Sequence, residues 1–382
     1  MQQRQVPFHK YSFNHLEESA MIETLRSGWI TRGPKVAEFE TAFADYTSAK
    51  HALALNSCTA GLHLALIALN LQPGDEVITT PLTFVATVNM IVRSGATPVL
   101  ADIDPATLNI SVKEIEKKIS AKTKAIIPVH LAGQPCDMQP ILELARSKEI
   151  IVIEDAAHAT GTEYHGQRIG AISDMSVFSF YANKNITTGE GGMLTTNHPE
   201  WDERLRPLSL HGLSKDAWKR FSEGGFKTYL VEEPGFKYNM TDIQAALGLV
   251  QLGKSEDFLE KRAQCAHFYR KELQELPVHI PTEIPNIRHS HHLFMLQLNE
   301  QKLSISRDQL IDQLHQRGIG SAVHYFPIHF HPFYQRLMPQ AMQELPYATR
   351  AGQNLISLPI YPDLSQEDQN YVIQCVKEIL NK

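Results

Sequence analysis

The stretch HALALNSCTAGLHLALIALNLQPGDEVITTPLTFVATVNMIVRSGATPVLADI, residues 51–103, sets the fold. Three short apolar runs, HALAL (51–55), EVITT (76–80) and TPVLADI (97–103), alternate with TAGLHLALIAL (59–69) and ATVNMIVRSG (86–95), which are patterned as helices. Strand, helix and strand in strict alternation mean parallel strands joined by helical crossovers. Downstream the series continues with KAIIPVHL (124–131), a helix from Met138 to Ala145, IIVIED (150–155), and the closely spaced MSVFSFY (175–181) and GGMLTTN (191–197). Upstream, Val36, Phe39, Phe43 and Tyr46 recur at helical spacing behind Gly33-Pro34, a permitted helix start after an irregular arm. A long helical stretch (241–276) with Thr241 as N-cap then leads to HHLFMLQL (291–298), the helix SRDQLIDQLHQRG (306–318), a short strand IGSAVHY (319–325) and a terminal helix (365–380). The expected fold class is therefore α/β, a large and mostly parallel sheet domain with a smaller C-terminal α+β domain. The expected division is residues 1–250 for the arm and large domain, and 251–382 for the connecting helix and small domain.

Length supports this, since 382 residues suffice for one large and one small domain. With 43% hydrophobic and 20% charged residues the composition is that of a globular chain, which excludes a disordered or fibrous one. A net charge of -6 repels phosphate backbones and anionic lipid, so neither nucleic acid nor a membrane is an expected partner. Cys58, Cys136, Cys265 and Cys375 form no CxxC pair and read as reduced thiols of a cytoplasmic protein. The N-terminal MQQRQVPFHKYSFNHLEE has no apolar signal-peptide core, and no run approaches the ~18 apolar residues of a membrane span.

Three segments carry candidate chemistry. Lys184 lies in SFYANKN (179–185), a loop at a strand end bordering the crevice of an open sheet, where a partly dehydrated amine is a nucleophile toward aldehydes. A solvated loop lysine is the plainer alternative. Asp155 ends the apolar strand of IVIEDAAH (151–158); a carboxylate there can pair with a pyridinium nitrogen and turn its ring into an electron sink, or it can simply cap the next helix. NSCTAG (56–61) joins a strand to a helix whose N-terminal amides can bind phosphate, or it is an ordinary cap. All three in this order are far less expected by chance than any one alone.

The blocks GWITRGPKVAEFE (28–40), NSCTAGLHLAL (56–66), GDEVITTPLTFVAT (74–87), AIIPVHLAGQPCDM (125–138), IEDAAHATGTEYHG (153–166), SFYANKNITTGEGGM (179–193), LHGLSKDAWKR (210–220) and GFKYNMTDIQAA (235–246) together resemble the DegT/DnrJ/EryC1/StrS sugar aminotransferases of pyridoxal phosphate (PLP) fold type I. The resemblance implies PLP as cofactor and Lys184 as the catalytic lysine that holds it as a Schiff base and shuttles a proton. It implies Asp155 on the pyridine nitrogen, His158 near the ring hydroxyl, Phe84 stacked on the ring, and Thr59, Ala60 and Ser179 at the phosphate. Asn239 would reach the cofactor phosphate of the neighbouring subunit, in a homodimer with shared active sites. Thr31, Gly33, Gln134, His324 and Tyr325 would approach the substrate. Glutamate is the implied donor and a UDP-linked keto sugar the acceptor. The expected acceptor is a UDP-4-keto-pentose of the 4-amino-4-deoxy-L-arabinose type, with a UDP-4-keto-6-deoxy-hexosamine as rival. Surface polysaccharide or lipid A modification would use the product. Cys58 departs from the Gly common in that loop, and a Lys at 184 instead of His favours amino transfer over dehydration. A PLP-fold binding or regulatory protein is the non-enzymatic alternative.

The histidines at 289–292 and 324–331 invite a metal reading, but neither cluster has an acidic or cysteine ligand at a familiar spacing, so no metal is expected. Lys215, Lys219 and Arg220 suggest either a basic flap or a solvated face. Gly189-Glu190-Gly191-Gly192 precedes a strand and is no nucleotide fingerprint; its expected job is backbone geometry beside Lys184.

Overall fold

The computed structural model describes residues 4–213, 230–231 and 233–381; Lys215, Lys219 and Arg220 lie outside the described residues. In chain order, the first strands are β1 (His51–Leu55), β2 (Glu76–Thr79), β3 (Thr97–Leu100), β4 (Thr123–Ile127) and β5 (Ile151–Asp155). The hairpin β6 (Glu163–Tyr164) and β7 (Gln167–Arg168) follows, then β8 (Met175–Ser179) and β9 (Gly192–Thr196). Seven of these form one sheet in the order β1-β9-β8-β5-β4-β2-β3. Only β9 runs against the others, as expected of a strand linked to β8 by a short loop without a crossover helix.

Helices cover both faces, so the central strands are buried almost throughout and their side chains divide by parity. Phe178 and Phe180 pack with Val36, Phe39 and Phe43 of the helix Pro34–Thr47, whereas Val177 and Leu194 pack with Leu62, Leu64 and Leu66 of the helix Cys58–Ala68. Fully burying one such Leu or Phe contributes roughly 1.5–3 kcal/mol. The helix Pro34–Thr47 starts where Gly33-Pro34 indicated, and Asp242 clamps its first turn by accepting hydrogen bonds from the backbone N–H groups of Gly33, Lys35 and Val36.

The C-terminal strands are β10 (Val278–His279), β11 (Ile287–Arg288), β12 (Phe294–Leu298) and β13 (Leu355–Leu358). A second sheet, β10-β12-β13, shares a core with the helices Ser255–Leu273, Arg307–Gln316 and Gln366–Leu380. Val6 of the N-terminal arm joins that core and bridges Ile319, while β11 pairs with β6 of the first part of the chain.

The elements differ from the sequence reading at several places; the arm, expected to be irregular, carries the helix His15–Ser27. The stretch 241–276 starts at Thr241 with a capping box as expected, yet it is two helices, Asp242–Gly253 and Ser255–Leu273. The break falls at Gly253-Lys254, where glycine weakens the helix and the Lys254 ammonium is held by Glu17. Residues 319–325 form only isolated bridges at Ile319 and Ala322, because β13, unread in the sequence, takes the place beside β12. LISL is too short for its period to separate strand from helix.

Candidate active site

The C-terminal ends of β1, β4, β5 and β8 meet at one cavity of about 480 Å³, the crevice where an open α/β sheet binds ligands. Ser57, Cys58, Thr59, Phe84, Asp155, His158, Ser179, Lys184, His324 and Tyr325 all line it.

The helix Cys58–Ala68 points its N-terminus at this cavity. Ser57 is its N-cap, its Oγ accepting from the Ala60 N–H at 3.1 Å, so the Ala60 amide is already engaged in the cap. A Cβ on Gly192 would lie 2.5 Å from the Cys58 nitrogen and the Ser57 carbonyl carbon. Glycine in the 189–192 run thus lets β9 press against this turn, and Gly189 takes φ +79°. Ser179 Oγ, across the opening, accepts from the Tyr181 N–H at 3.3 Å.

Asp155 is buried, and burial pushes its carboxyl above the usual range; a 2.7 Å hydrogen bond from the Thr87 hydroxyl and one from the Ala157 N–H oppose that rise. Its neighbour Glu154 faces the other side of β5, where His130, Ser173 and Ser176 donate to it. Thr87 was not singled out in the sequence; the only signal is a hydroxyl on the buried stripe of a helix.

Burial pulls the Lys184 amine down to about 8, with Cys58 and Asp155 restraining the fall. His158 Nδ1 accepts from the Ala132 N–H, so the hydrogen-bond network assigns the imidazole proton to Nε2, which donates to the Tyr325 hydroxyl at 2.8 Å. Burial keeps this imidazole far below its ordinary value, hence neutral, and leaves the Tyr325 proton for another acceptor. His324 packs on Phe8 of the arm with ring centroids 5.4 Å apart, and burial lowers it to about 4. Phe84 is exposed, with its ring 5.9 Å from that of Tyr325.

Five of the expected residues, Ala60 among them, lie outside the lining of that cavity. Gln134 lines a separate cavity of about 30 Å³, and its amide donates to the carbonyls of Thr107 and Thr282. Those two bonds fix its side chain away from the main crevice. Thr31 and Gly33 are engaged with Asp242, Thr31 through its carbonyl, outside the lining of this chain's cavity. Asn239 accepts from Lys237 and donates to the Met240 carbonyl, also outside that lining. Among the described residues, no group of three or more His, Cys, Asp or Glu side chains is placed to hold a metal ion.

A model of the DegT/DnrJ/EryC1/StrS aminotransferase family matches residues 13–377. The chain belongs to that family. The spore coat polysaccharide biosynthesis protein SpsC of Bacillus subtilis is 48% identical over 366 residues, 95% of this chain and 94% of that one. Among solved structures, the putative sugar aminotransferase Spr1654 from Streptococcus pneumoniae in its PMP form has a TM-score of 0.94 at 35% identity, covering 99% of both chains. Helicobacter pylori PseC, an aminotransferase of pseudaminic acid biosynthesis, has a TM-score of 0.91 at 31% identity, over 99% of this chain and 100% of that one. The family's aminotransferases use PLP, and this site fits it. A helix N-terminus with Thr59 and Ser179 suits the phosphate, Asp155 the ring nitrogen, Phe84 a ring face, and a partly dehydrated Lys184 the aldehyde.

Proposed function

We propose that this sugar aminotransferase moves an amino group from glutamate to the 4-keto carbon of a UDP-linked sugar, with Lys184 as the catalytic residue. The observation that supports it most is the convergence of a lowered amine, a buried carboxylate and a helix N-terminus on one cavity. PLP, when bound, supplies an electron sink that stabilises the carbanion left when a proton leaves the amine-bearing carbon. Lys184, half neutral near pH 8, takes that proton and later returns it, acting as base in one half-reaction and acid in the other. Asp155, oriented by the Thr87 hydroxyl, would pair with the pyridine nitrogen and favour its protonated form. Tyr325, accepting from His158, presents its own proton to an oxygen in the cavity.

The acceptor we favour is a UDP-4-keto-pentose, with a product bound for surface polysaccharide or lipid A. The likeness to PseC favours a second acceptor, a UDP-4-keto-6-deoxy-hexosamine. The enzyme acts in the cytoplasm as a homodimer. Leu16, Ile22, Leu25, Trp29 and Ile30 form an exposed apolar run on and after the helix His15–Ser27 that a second copy would cover. In that dimer Asn239, Thr31 and Gly33 serve the partner's site. Among the described residues no helix is long and apolar enough to cross a membrane. Mass spectrometry of products from glutamate with each UDP-4-keto sugar tests the reading; an amine on neither sugar refutes it.

A further inference from the structure

We propose that His292 is a positioning residue for Lys184, its Nε2 accepting a hydrogen bond from the lysine amine and aiming that amine into the cavity. The inference rests on Lys184 being the reacting amine. Lys184 Nζ and His292 Nε2 are 3.5 Å apart, at the long end of hydrogen bonding.

Which ring nitrogen carries the proton follows from the neighbours. Asn185 Nδ2 donates to the Ser290 carbonyl at 2.9 Å, which turns Asn185 Oδ1 toward His292 Nδ1 at 3.2 Å. An oxygen can only accept there, so Nδ1 holds the proton and Nε2 is left with a lone pair facing Lys184. Burial, reinforced by the charges of Lys184 and Arg262, holds the imidazole well below its ordinary value and therefore neutral.

The backbone that carries His292 is fixed from both sides. Its N–H donates to the Ala132 carbonyl, and its own carbonyl accepts from Arg262, whose Nη1 also reaches the carbonyls of His291 and Ile360. Arg262 is among the largest fully buried side chains, so this anchor lies inside the protein. Ser290, two residues earlier, donates to the His158 carbonyl at 2.7 Å and packs where Gly133 has no Cβ. A purely structural histidine would need only the Asn185 bond.

Other groups also act on the amine charge: Asp155 and Cys58 from the ends of β5 and β1, with His158, His324 and His9 facing it from their own segments. They are common to every variant compared below, so a difference between variants isolates His292.

The test compares His292→Asn, whose amide can stand in for Nδ1 and keep the Asn185 bond, with His292→Gln, whose amide oxygen can stand in for Nε2. Lys184 acetylation in the cofactor-free protein is followed against pH by peptide mass spectrometry. Wild type is expected to show a midpoint near 8. His292→Asn should lower that midpoint by roughly one pH unit, because the ammonium loses an acceptor, and His292→Gln should restore most of it. The kcat for amino transfer should fall in His292→Asn with the KM for glutamate little changed. An unchanged midpoint in His292→Asn overturns this inference alone. Borohydride reduction of the wild-type holoenzyme locates the cofactor-bound lysine independently, and a lysine other than Lys184 overturns both this inference and the functional reading.

Discussion

Replacing Lys184 by Met should stabilise the cofactor-free protein, and by an amount that depends on pH. Burial lowers the amine from 10.5 to about 8. That difference, at ~1.36 kcal/mol per unit, corresponds to roughly 3 kcal/mol for keeping a charged amine in the fold. The sign follows from proton counts. Between pH 8 and 10.5 the unfolded chain still binds the lysine proton while the folded one has lost it, so wild-type stability rises with pH across that window. Below pH 8 the full penalty applies, and above 10.5 it vanishes. Methionine has no charge to bury and a similar length, so it removes the penalty without leaving a large void. The variant should be about 2–3 kcal/mol more stable than wild type at pH 7, with about 2 kcal/mol of that advantage gone by pH 9.5. Urea unfolding at one fixed protein concentration measures it, since association adds a concentration-dependent term. Equal stability at both values of pH, or an advantage that grows as pH rises, would refute the reasoning.

Gly192→Ala forces a Cβ into the Ser57–Cys58 backbone and displaces the helix N-terminus, so PLP affinity measured by equilibrium dialysis should fall at least about tenfold; unchanged affinity contradicts the close-packing argument. Thr87→Val removes the 2.7 Å donor to Asp155 at nearly constant volume. The carboxyl then rises further above its usual range, its charge is lost earlier as pH falls, and PLP binding should weaken by about 1–2 kcal/mol, most at acid pH. A variant that binds PLP like wild type at pH 5 would show that Thr87 does not support that charge.

The fold was legible wherever period and burial agree. The alternation from β1 to β5 is written in apolar runs of strand length, and the cap at Thr241 carries its own signal. β13 was not legible, because four apolar residues fit either period. In the site, Lys184, Asp155 and the turn at Ser57 could be read from position at strand ends. Their supports could not: Thr87, Asn185, Ser290 and His292 come together from separate segments of the chain, and only the folded chain joins them. Gln134 shows the converse limit, since position within a motif did not reveal that its amide binds the Thr107 and Thr282 carbonyls.

The central claim is that Lys184 transfers an amino group through PLP in this cavity. Absorption spectra of wild type and Lys184→Ala, recorded with PLP, then glutamate, then a UDP-4-keto sugar, test it most directly. The account predicts a visible band in wild type that glutamate removes and the keto sugar restores, and no such exchange at the wild-type rate in Lys184→Ala. A band that glutamate leaves untouched, or an alanine variant that cycles as fast as wild type, would contradict it.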